Sequence, residues 1–433
     1  MKFRAPRGTQ DVLPSEQPVW AAVREAAAAV ASTYGYARID TPMFEDTGVY
    51  QRGVGEGTDI VEKEMYTFQD KGGASLTLRP EGTAGVVRAY IEHGLFKAPR
   101  PQKLYYLAPN FRYERPQAGR YRQHHQFGVE VFGEADASLD AEVIEVLWGF
   151  LSQLGLRGLS LQINSIGDAV CRPAYITCLK DYYAQHLHEV CDDDRVRFAK
   201  NPLRLLDCKV PSCQPIADQA PHTADHLCDA CAQHFAALRH SLDVRGLDYA
   251  VNFRLVRGFD YYTRTAFEIW PAQAGGTATL GGGGRYDGLV EELGGPATPA
   301  VGFGTGIERI VALYKQAHGE VEASRLDVYV VAVTGEQRDD ALRVATRLRS
   351  AGLRVAHDYG GRGLGAQFKA ADATGAPLAV VLGPDELALG QATVRDLAGR
   401  RQEKQAVVPL DHLEAELLAR LGAQSVAAST SAA

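Results

Sequence analysis

The chain holds 433 residues, 45% hydrophobic and 23% charged, the make-up of a soluble globular protein of two or three domains. No apolar run is long enough to span a bilayer, and Met1-Lys2-Phe3-Arg4-Ala5-Pro6 opens no secretory signal, so a cytoplasmic protein without a membrane partner is expected. A net charge of −7 argues against a protein that simply coats nucleic acid, while leaving room for a local basic loop that meets phosphate.

Alanines and spaced apolar residues over Gln17–Tyr34 predict a helix that Tyr34-Gly35-Tyr36 ends. Ala37–Glu45 reads as a short extended segment broken by Pro42, which suits an edge or an interface because proline donates no ladder bond. Strand-like alternation recurs at Leu76–Leu78, Lys103–Leu107, Asn110–Tyr113, Gln126–Phe132 and Leu159–Asn164. From about Asp168 to Asp248 the texture turns polar and rich in His, Cys and Asp, which predicts a helical insertion. Strand patterns resume at Tyr249–Leu255 and Thr265–Trp270. The hairpin-length spacings predict an α+β fold with an antiparallel sheet. A third texture begins near Leu326: apolar Val328–Val333, helix-like Gln337–Ala351, Val355, a Gly360–Gly365 loop, helix-like Ala366–Thr374 and apolar Leu378–Leu382. That alternation predicts a small α/β domain with a mainly parallel sheet. The Ser/Ala-rich stretch 423–433 is predicted to be a disordered tail.

Four blocks carry the chemistry. Phe111–Glu130 reads as a strand, a loop and a returning strand, and between Arg112 and Arg122 four arginines face one acid, Glu114. Arginine forks match phosphate oxygens bidentately, as lysine cannot; a solvated hairpin with idle charges is the rival reading. Val301–Ile310 is an apolar strand entering a helix through glycines, with Arg309 in the first helical turn beside its positive end. A tight strand–helix junction with a surface arginine fits those residues as well. Leu255–Thr265 packs Arg257, Asp260, Tyr261 and Tyr262 beside Gly258, a set that could read a polar small molecule or form a core aromatic pair. At Thr77–Gly85 a strand ends and a helix begins, so Glu81 and Thr83 emerge at the sheet edge, where Thr83 also suits an N-cap. The run Gly281–Gly284 before Arg285-Tyr286-Asp287-Gly288 implies a backbone pressed against something flat or bulky.

Together these blocks resemble the class II aminoacyl-tRNA synthetases, and within them the histidine-specific family. The first helix with Thr41-Pro42 is similar to the class's first motif, which forms a dimer interface. Phe111–Glu130 is similar to the second motif and Gly302–Arg309 to the third. The histidine assignment rests on Arg257-Gly258-Phe259-Asp260-Tyr261-Tyr262, on Leu78-Arg79-Pro80-Glu81-Gly82-Thr83 and on Pro6–Pro14. One departure is His124, where the family pattern has an aromatic such as Phe.

The resemblance implies ATP-dependent attachment of L-histidine to tRNA(His) through a histidyl-adenylate, by a homodimer, with Mg2+ carried on the ATP phosphates. It implies a catalytic domain over 1–325, with its insertion at about 168–248, and an anticodon-binding α/β domain over 326–422. Carried over by position, Arg112 would hold the α-phosphate, Arg309 would clamp the far end of ATP, and Arg257 would stabilise charge that develops as the histidine carboxylate attacks. Glu81, Gly82, Thr83 and Gln126 would surround the α-amino group and neighbouring polar atoms. Glu130 and Tyr262 would read the two imidazole nitrogens, with Tyr261 lining the pocket. Glu114 and Arg120 would join Arg112 and Arg309 around ATP, and Arg115, Gln117 and Arg122 would meet the tRNA acceptor end.

The odd count of seven cysteines argues against an extracellular disulfide scaffold. Cys208-x4-Cys213 and Cys228-x2-Cys231 offer four thiols that one structural zinc ion could take. The first gap is wide and catalysis needs no metal there, so reduced cysteines without metal are the favoured reading. Cys171, Cys178 and Cys191 read as incidental. Two other functions fit parts of the pattern. One is a synthetase-like regulatory paralogue that binds histidine without catalysis, which would be expected to lose the Arg257–Tyr262 signature or the C-terminal domain. The other is a nucleotide-dependent ligase acting on a small acid without RNA, which the acidic charge favours. The chain keeps both signature and C-terminal domain, and the synthetase reading is preferred.

Overall fold

The computed structural model describes residues 3–55, 58, 60–114, 121–271, 279–319, 326–397 and 405–431, with 423–431 given as backbone only. The chain divides into two compact units, Met1–Val321 and Glu322–Ala433.

The first unit opens with helix α1 (Gln17–Thr33), entered through a proline in its first turn. Its buried residues Val19, Val23, Ala26, Ala27 and Val30 recur at three- and four-residue spacing, the stripe a surface helix turns to a core. Around Pro42 the chain forms two short strands, β1 (Ala37–Arg38) and β2 (Phe44–Asp46). The Asp46 side chain caps α2 (Thr47–Val54), accepting from Gly48 N at 2.7 Å. Strands β3 (Tyr66–Gln69) and β4 (Ser75–Leu78) join β2 in a small antiparallel sheet of order β2-β4-β3. Helix α3 (Thr83–Glu92) follows.

Then come the hairpin β5 (Gln102–Phe111) and β6 (Gln123–Phe132), helix α4 (Ala137–Gln153) and strand β7 (Leu159–Ser165). β5 merges two stretches that read separately around Pro109. Its edge neighbour β1 covers only Leu104 and Tyr105, so at Pro109 that edge is open and a missing N–H costs no ladder bond. After the insertion come β8 (Tyr249–Val251), β9 (Thr263–Pro271), β10 (Gly281–Arg285), a short α9 (Leu289–Glu292), β11 (Ala300–Gly306) and α10 (Ile307–His318). The eight-stranded sheet has the order β1-β5-β6-β11-β10-β9-β7-β8. Its central pairs are antiparallel, and only the edge pairs β1–β5 and β7–β8 run parallel.

Side-chain alternation divides this sheet into a core face and an open face. Phe127, Val129 and Val131 of β6, Val301 and Phe303 of β11, and Phe267 and Ile269 of β9 enter one apolar core with α1, α4 and α10. The period of two therefore turns Gln126, Gly128, Glu130, Gly302, Gly304 and Glu268 to the opposite face.

The insertion between β7 and β8 consists of α5 (Arg172–His186), α6 (Asp192–Lys200), α7 (Gln214–Asp218), α8 (Asp229–Val244) and short 3-10 turns. It does not bring Cys208, Cys213, Cys228 and Cys231 together. Cys208 and Cys213 stand with Cys191 and Asp194, while Cys228 and Cys231 stand with Cys171 and Asp168. Two of the three cysteines read as incidental thus complete the groups, because the helices fold back and pair donors from separate stretches of chain.

The second unit contains β12 (Val328–Ala332), α11 (Arg338–Ser350), β13 (Val355–His357), α12 (Leu364–Thr374), β14 (Leu378–Leu382), α13 (Pro384–Ala388), β15 (Gln391–Asp396), β16 (Gln405–Pro409) and α14 (Leu413–Ser431). Its sheet order is β13-β12-β14-β15-β16. The first three strands are parallel, but β14–β15 and β15–β16 are antiparallel, so the sheet is mixed and not mainly parallel. The missed hairpin alternates polar and apolar residues on an exposed edge and lacks the apolar runs that mark β12 and β14. Helix α14 continues through the Ser/Ala-rich tail, in keeping with the helix propensity of alanine.

Candidate active site

The open face of the large sheet forms the floor of a cavity of about 1240 Å³. Glu130, 1% exposed, lies in that floor. Its Oε1 accepts from Thr83 Oγ1 at 2.7 Å and from Tyr106 OH at 3.2 Å, and its Oε2 accepts from Tyr286 OH in a short bond. Burial pushes the Glu130 carboxyl up to about 8, against the hydroxyl donors of Tyr286 and Thr83, which pull it down. Glu81 is also raised by burial, although its carboxylate accepts from the backbone N–H groups of Thr83 at 2.6 Å and Ala84 at 2.9 Å at the start of α3. Thr83 therefore sends its hydroxyl to Glu130 and leaves the helix start to Glu81.

Close packing of backbone makes this floor possible. A Cβ on Gly82 would lie 2.4 Å from the Tyr106 ring, and one on Gly302 would lie 2.1 Å from Glu130 Oε2. Register places Gly302 directly across from Glu130. Gly82 thus supports Tyr106 from behind and is not among the cavity-lining residues.

The expected pocket residues Glu81, Thr83, Gln126, Glu130, Tyr261 and Tyr262 all line this one cavity, and so do Arg112, Glu114, Arg257 and Arg309. Gln126 accepts from Asn110 Nδ2 at 2.6 Å. The Tyr261 and Tyr262 rings lie 4.7 Å apart, and Tyr286 closes the cluster at 5.6 Å and 6.5 Å from them. Arg257 Nη1 donates to Glu268 Oε1 at 2.5 Å, and its Nε is buried without a hydrogen-bond partner among the described residues. Burial opposes the Arg257 charge, but Tyr262 and Glu268 beside it more than offset that and push its pKa above the usual arginine range. Glu268 is itself fixed by Trp270 Nε1 and Thr279 Oγ1, each at 2.7 Å.

Arg112 donates from Nε to Pro80 O at 2.8 Å, with its guanidinium 5.7 Å from the Phe259 ring centre. Arg309, in the first turn of α10, donates to Thr279 O. His124 lines the same wall; burial, then Arg112 and His125, lower its pKa to about 3, so its ring is neutral. Arg122 lies outside the cavity lining, its guanidinium 3.7 Å from the Tyr113 ring centre and its backbone N donating to Gly8 O at 2.6 Å. Arg115, Gln117 and Arg120 fall outside the described residues.

Three residues of this site carry no role in the sequence reading: Tyr106, Tyr286 and Glu268. Tyr286 follows the flagged glycine run, and Arg285 beside it is fully buried against Asp140, with Nε 3.2 Å from both carboxylate oxygens. That anchor fixes the end of β10 and with it the Tyr286 ring.

An antiparallel sheet flanked by helices, with arginines on a strand–loop–strand hairpin and at a glycine strand–helix junction over one cavity, defines a class II aminoacyl-tRNA synthetase. The profile of the histidyl-tRNA synthetase family matches residues 8–310, and that of the anticodon binding domain matches residues 327–420. A histidine–tRNA ligase of Dehalococcoides mccartyi is 53% identical over 416 residues, covering 96% of this chain and 99% of its own. That of Caldanaerobacter subterraneus subsp. tengcongensis is 50% identical over 399 residues, covering 92% and 96%. The crystal structure of apo S. aureus histidyl-tRNA synthetase aligns with a TM-score of 0.80 at 36% identity, covering 96% of this chain and 100% of that one. The chain belongs to the histidyl-tRNA synthetase family.

Proposed function

We propose that this protein joins L-histidine to tRNA(His) in two steps driven by ATP, with histidine seated at Glu130 and ATP held between Arg112 and Arg309. The observation that carries this reading is one buried carboxyl group, Glu130, ringed by the hydroxyls of Thr83, Tyr106 and Tyr286 beneath walls that bear Arg112, Arg257 and Arg309. A carboxylate accepts from one imidazole N–H, and the Tyr262 hydroxyl meets the other ring nitrogen. A side chain without these two ring nitrogens forgoes both bonds, which disfavours it relative to histidine. Glu81 and Gln126 bind the α-amino group, and Tyr261 bounds the pocket.

In the first step a carboxylate oxygen of histidine attacks the α-phosphorus of ATP. An oxygen–phosphorus bond forms there as the bond to pyrophosphate breaks. Arg112 neutralises the α-phosphate, Arg309 and Glu114 position the far end of the nucleotide, and Arg257 meets the charge that grows between carboxylate and phosphorus. The unpartnered Arg257 Nε–H supports that role: Glu268 fixes the guanidinium in advance and leaves this donor available to developing charge. No protein nucleophile is required. In the second step a ribose hydroxyl at the tRNA 3′ end attacks the adenylate carbonyl carbon, the bond from that carbon to the AMP phosphate oxygen breaks, and the hydroxyl proton passes to the departing AMP phosphate.

A Mg2+ ion carried on the ATP phosphates would supply charge neutralisation there. The carboxylates of Glu64 and Glu114 in the cavity wall are hard oxygen donors of the kind it accepts. Arg120 joins the ATP contacts, Arg115, Gln117 and Arg122 meet the acceptor end, and the domain over 326–422 reads the anticodon. The protein acts as a homodimer in the cytoplasm; the exposed Met43 and Phe44 beside the Thr41-Pro42 segment support pairing there.

The test is ATP-dependent transfer of labelled histidine to tRNA. The full chain is expected to charge tRNA(His), and a chain ending near residue 321 to form adenylate but charge poorly. No tRNA-dependent product from the full chain would favour a histidine-binding regulatory protein.

A further inference from the structure

Six of the seven cysteines lie in two groups of like design at the insertion, and none of the steps above uses them as acids, bases or nucleophiles. We propose that the insertion binds two zinc ions, one held by Cys191, Asp194, Cys208 and Cys213 and the other by Asp168, Cys171, Cys228 and Cys231.

Each group offers four donor atoms that all lie within 4.8 Å of one another. A tetrahedral ion with zinc–sulfur bonds of about 2.3 Å sets its sulfurs about 3.8 Å apart. Cys191 Sγ and Cys208 Sγ stand 3.8 Å apart, and all seven cysteines are free thiols. In the second group Asp168 Oδ1 lies 3.6 Å from Cys171 Sγ and 3.9 Å from Cys228 Sγ.

The first group also contains a fully buried charge, Asp194. The Asp194 Oδ1 accepts from Arg197 at 3.0 Å, while its Oδ2 meets no nitrogen or oxygen donor among the described residues and faces the thiols of Cys208 and Cys213. A buried carboxylate beside three thiols offers a divalent cation a compact set of anionic donors once the thiols lose their protons. Thiolate-rich tetrahedral donor sets select zinc over the harder divalent ions.

Local structure explains how the donors assemble. Cys171, Cys191 and Cys228 occupy the N-cap positions of α5, α6 and α8, and none makes a side-chain capping bond. The two-residue gaps in Asp168–Cys171, Cys191–Asp194 and Cys228–Cys231 bring paired donors to one side of a turn. The wider gap before Cys213 is taken up by the 3-10 turn Pro211–Cys213.

Both groups adjoin the histidine pocket. Beyond the first group, at the far end of α6, Asn201 donates to Asp260 at 2.7 Å and Lys200 pairs with Glu62 at 2.8 Å. Next to the second, Arg172 donates to Tyr262 O at 2.6 Å and Arg264 pairs with Asp168 at 3.4 Å. The two ions thus clip the insertion onto the Arg257–Arg264 segment, a positioning role for the residues that read histidine.

The experiment is metal analysis of the full chain, purified under reducing conditions, loaded with excess zinc and freed of loosely bound ion. Two zinc ions per chain are expected, with one in Cys208→Ser/Cys213→Ser, one in Cys228→Ser/Cys231→Ser and two in Cys178→Ser. Cobalt in place of zinc in the unmutated chain should give the intense visible absorption of a tetrahedral thiolate site, a readout that no misfolded variant can confuse. Fewer than two tightly held zinc ions in the unmutated chain, an unchanged content in either double variant, or octahedral cobalt spectra would overturn the assignment.

Discussion

Glu130 carries the electrostatic tension of the pocket. Its pKa rises from 4.5 to about 8 because the carboxylate sits out of water, and the surrounding hydroxyls only partly compensate. A raised carboxyl binds its proton more tightly in the folded state than in the unfolded one. Its contribution to stability is therefore fully present below pH 4.5 and is lost as pH rises through about 8. Glu130→Gln removes that titration while keeping the shape. Urea melts should show that the variant lacks a loss of order a few kcal/mol across this window; parallel pH profiles would contradict the assignment. Arg257 makes a second claim at this scale. Arg257→Ala should lower pyrophosphate exchange by roughly 10²–10³, the usual cost of losing a preorganised donor to developing charge, while calorimetry shows histidine binding little weakened. Exchange within tenfold of the parent would remove Arg257 from the chemistry. That Arg112, Arg257, Arg309 and Glu130 gather at one cavity was legible because each lies in a recognisable short block. Tyr106 and Tyr286 were not, since they meet Glu130 from 24 and 156 residues away. Glu268 escaped because an acid on an apolar strand gives no local sign of its arginine.

Among the elements, the strands β6, β10 and β11 decide where the pocket can exist. Register sets Gly302 opposite Glu130 and Gly128 opposite Tyr106, leaving the room that both side chains fill. Gly302→Ala would place a methyl 2.1 Å from Glu130 Oε2 and 2.3 Å from Val129 O. Overpacking of this kind typically costs about 1–3 kcal/mol. Steady-state kinetics should show KM for histidine rising by tenfold or more with KM for ATP much less affected; an equal rise in both would mean the glycine serves the sheet and not the pocket. The glycine run over Gly281–Gly284 signalled close approach, and what it approaches is neighbouring backbone: a Cβ on Gly283 would fall 1.9 Å from Gly302 O. Elements with strong periodicity, such as α1, β7 and β14, could be read from sequence within a residue or two. The β15–β16 hairpin could not, because half-exposed strands, one of them at the sheet edge, carry little apolar signal.

At the scale of the molecule, two units match two family profiles, and the catalytic unit carries a helical insertion whose own cysteine groups adjoin the pocket. The acidic net charge is compatible with an RNA substrate because Arg112, Arg257 and Arg309 gather positive charge locally at the cavity wall. No helix among the described residues is long and apolar enough to cross a membrane. The central claim is that the cavity activates histidine and no other amino acid. Its most direct measurement is ATP–pyrophosphate exchange by the purified full chain, run with each of the twenty amino acids in turn and without tRNA. Exchange with histidine alone is predicted, at a level that Glu130→Gln sharply reduces. Exchange with a different amino acid, or with none, would contradict the account.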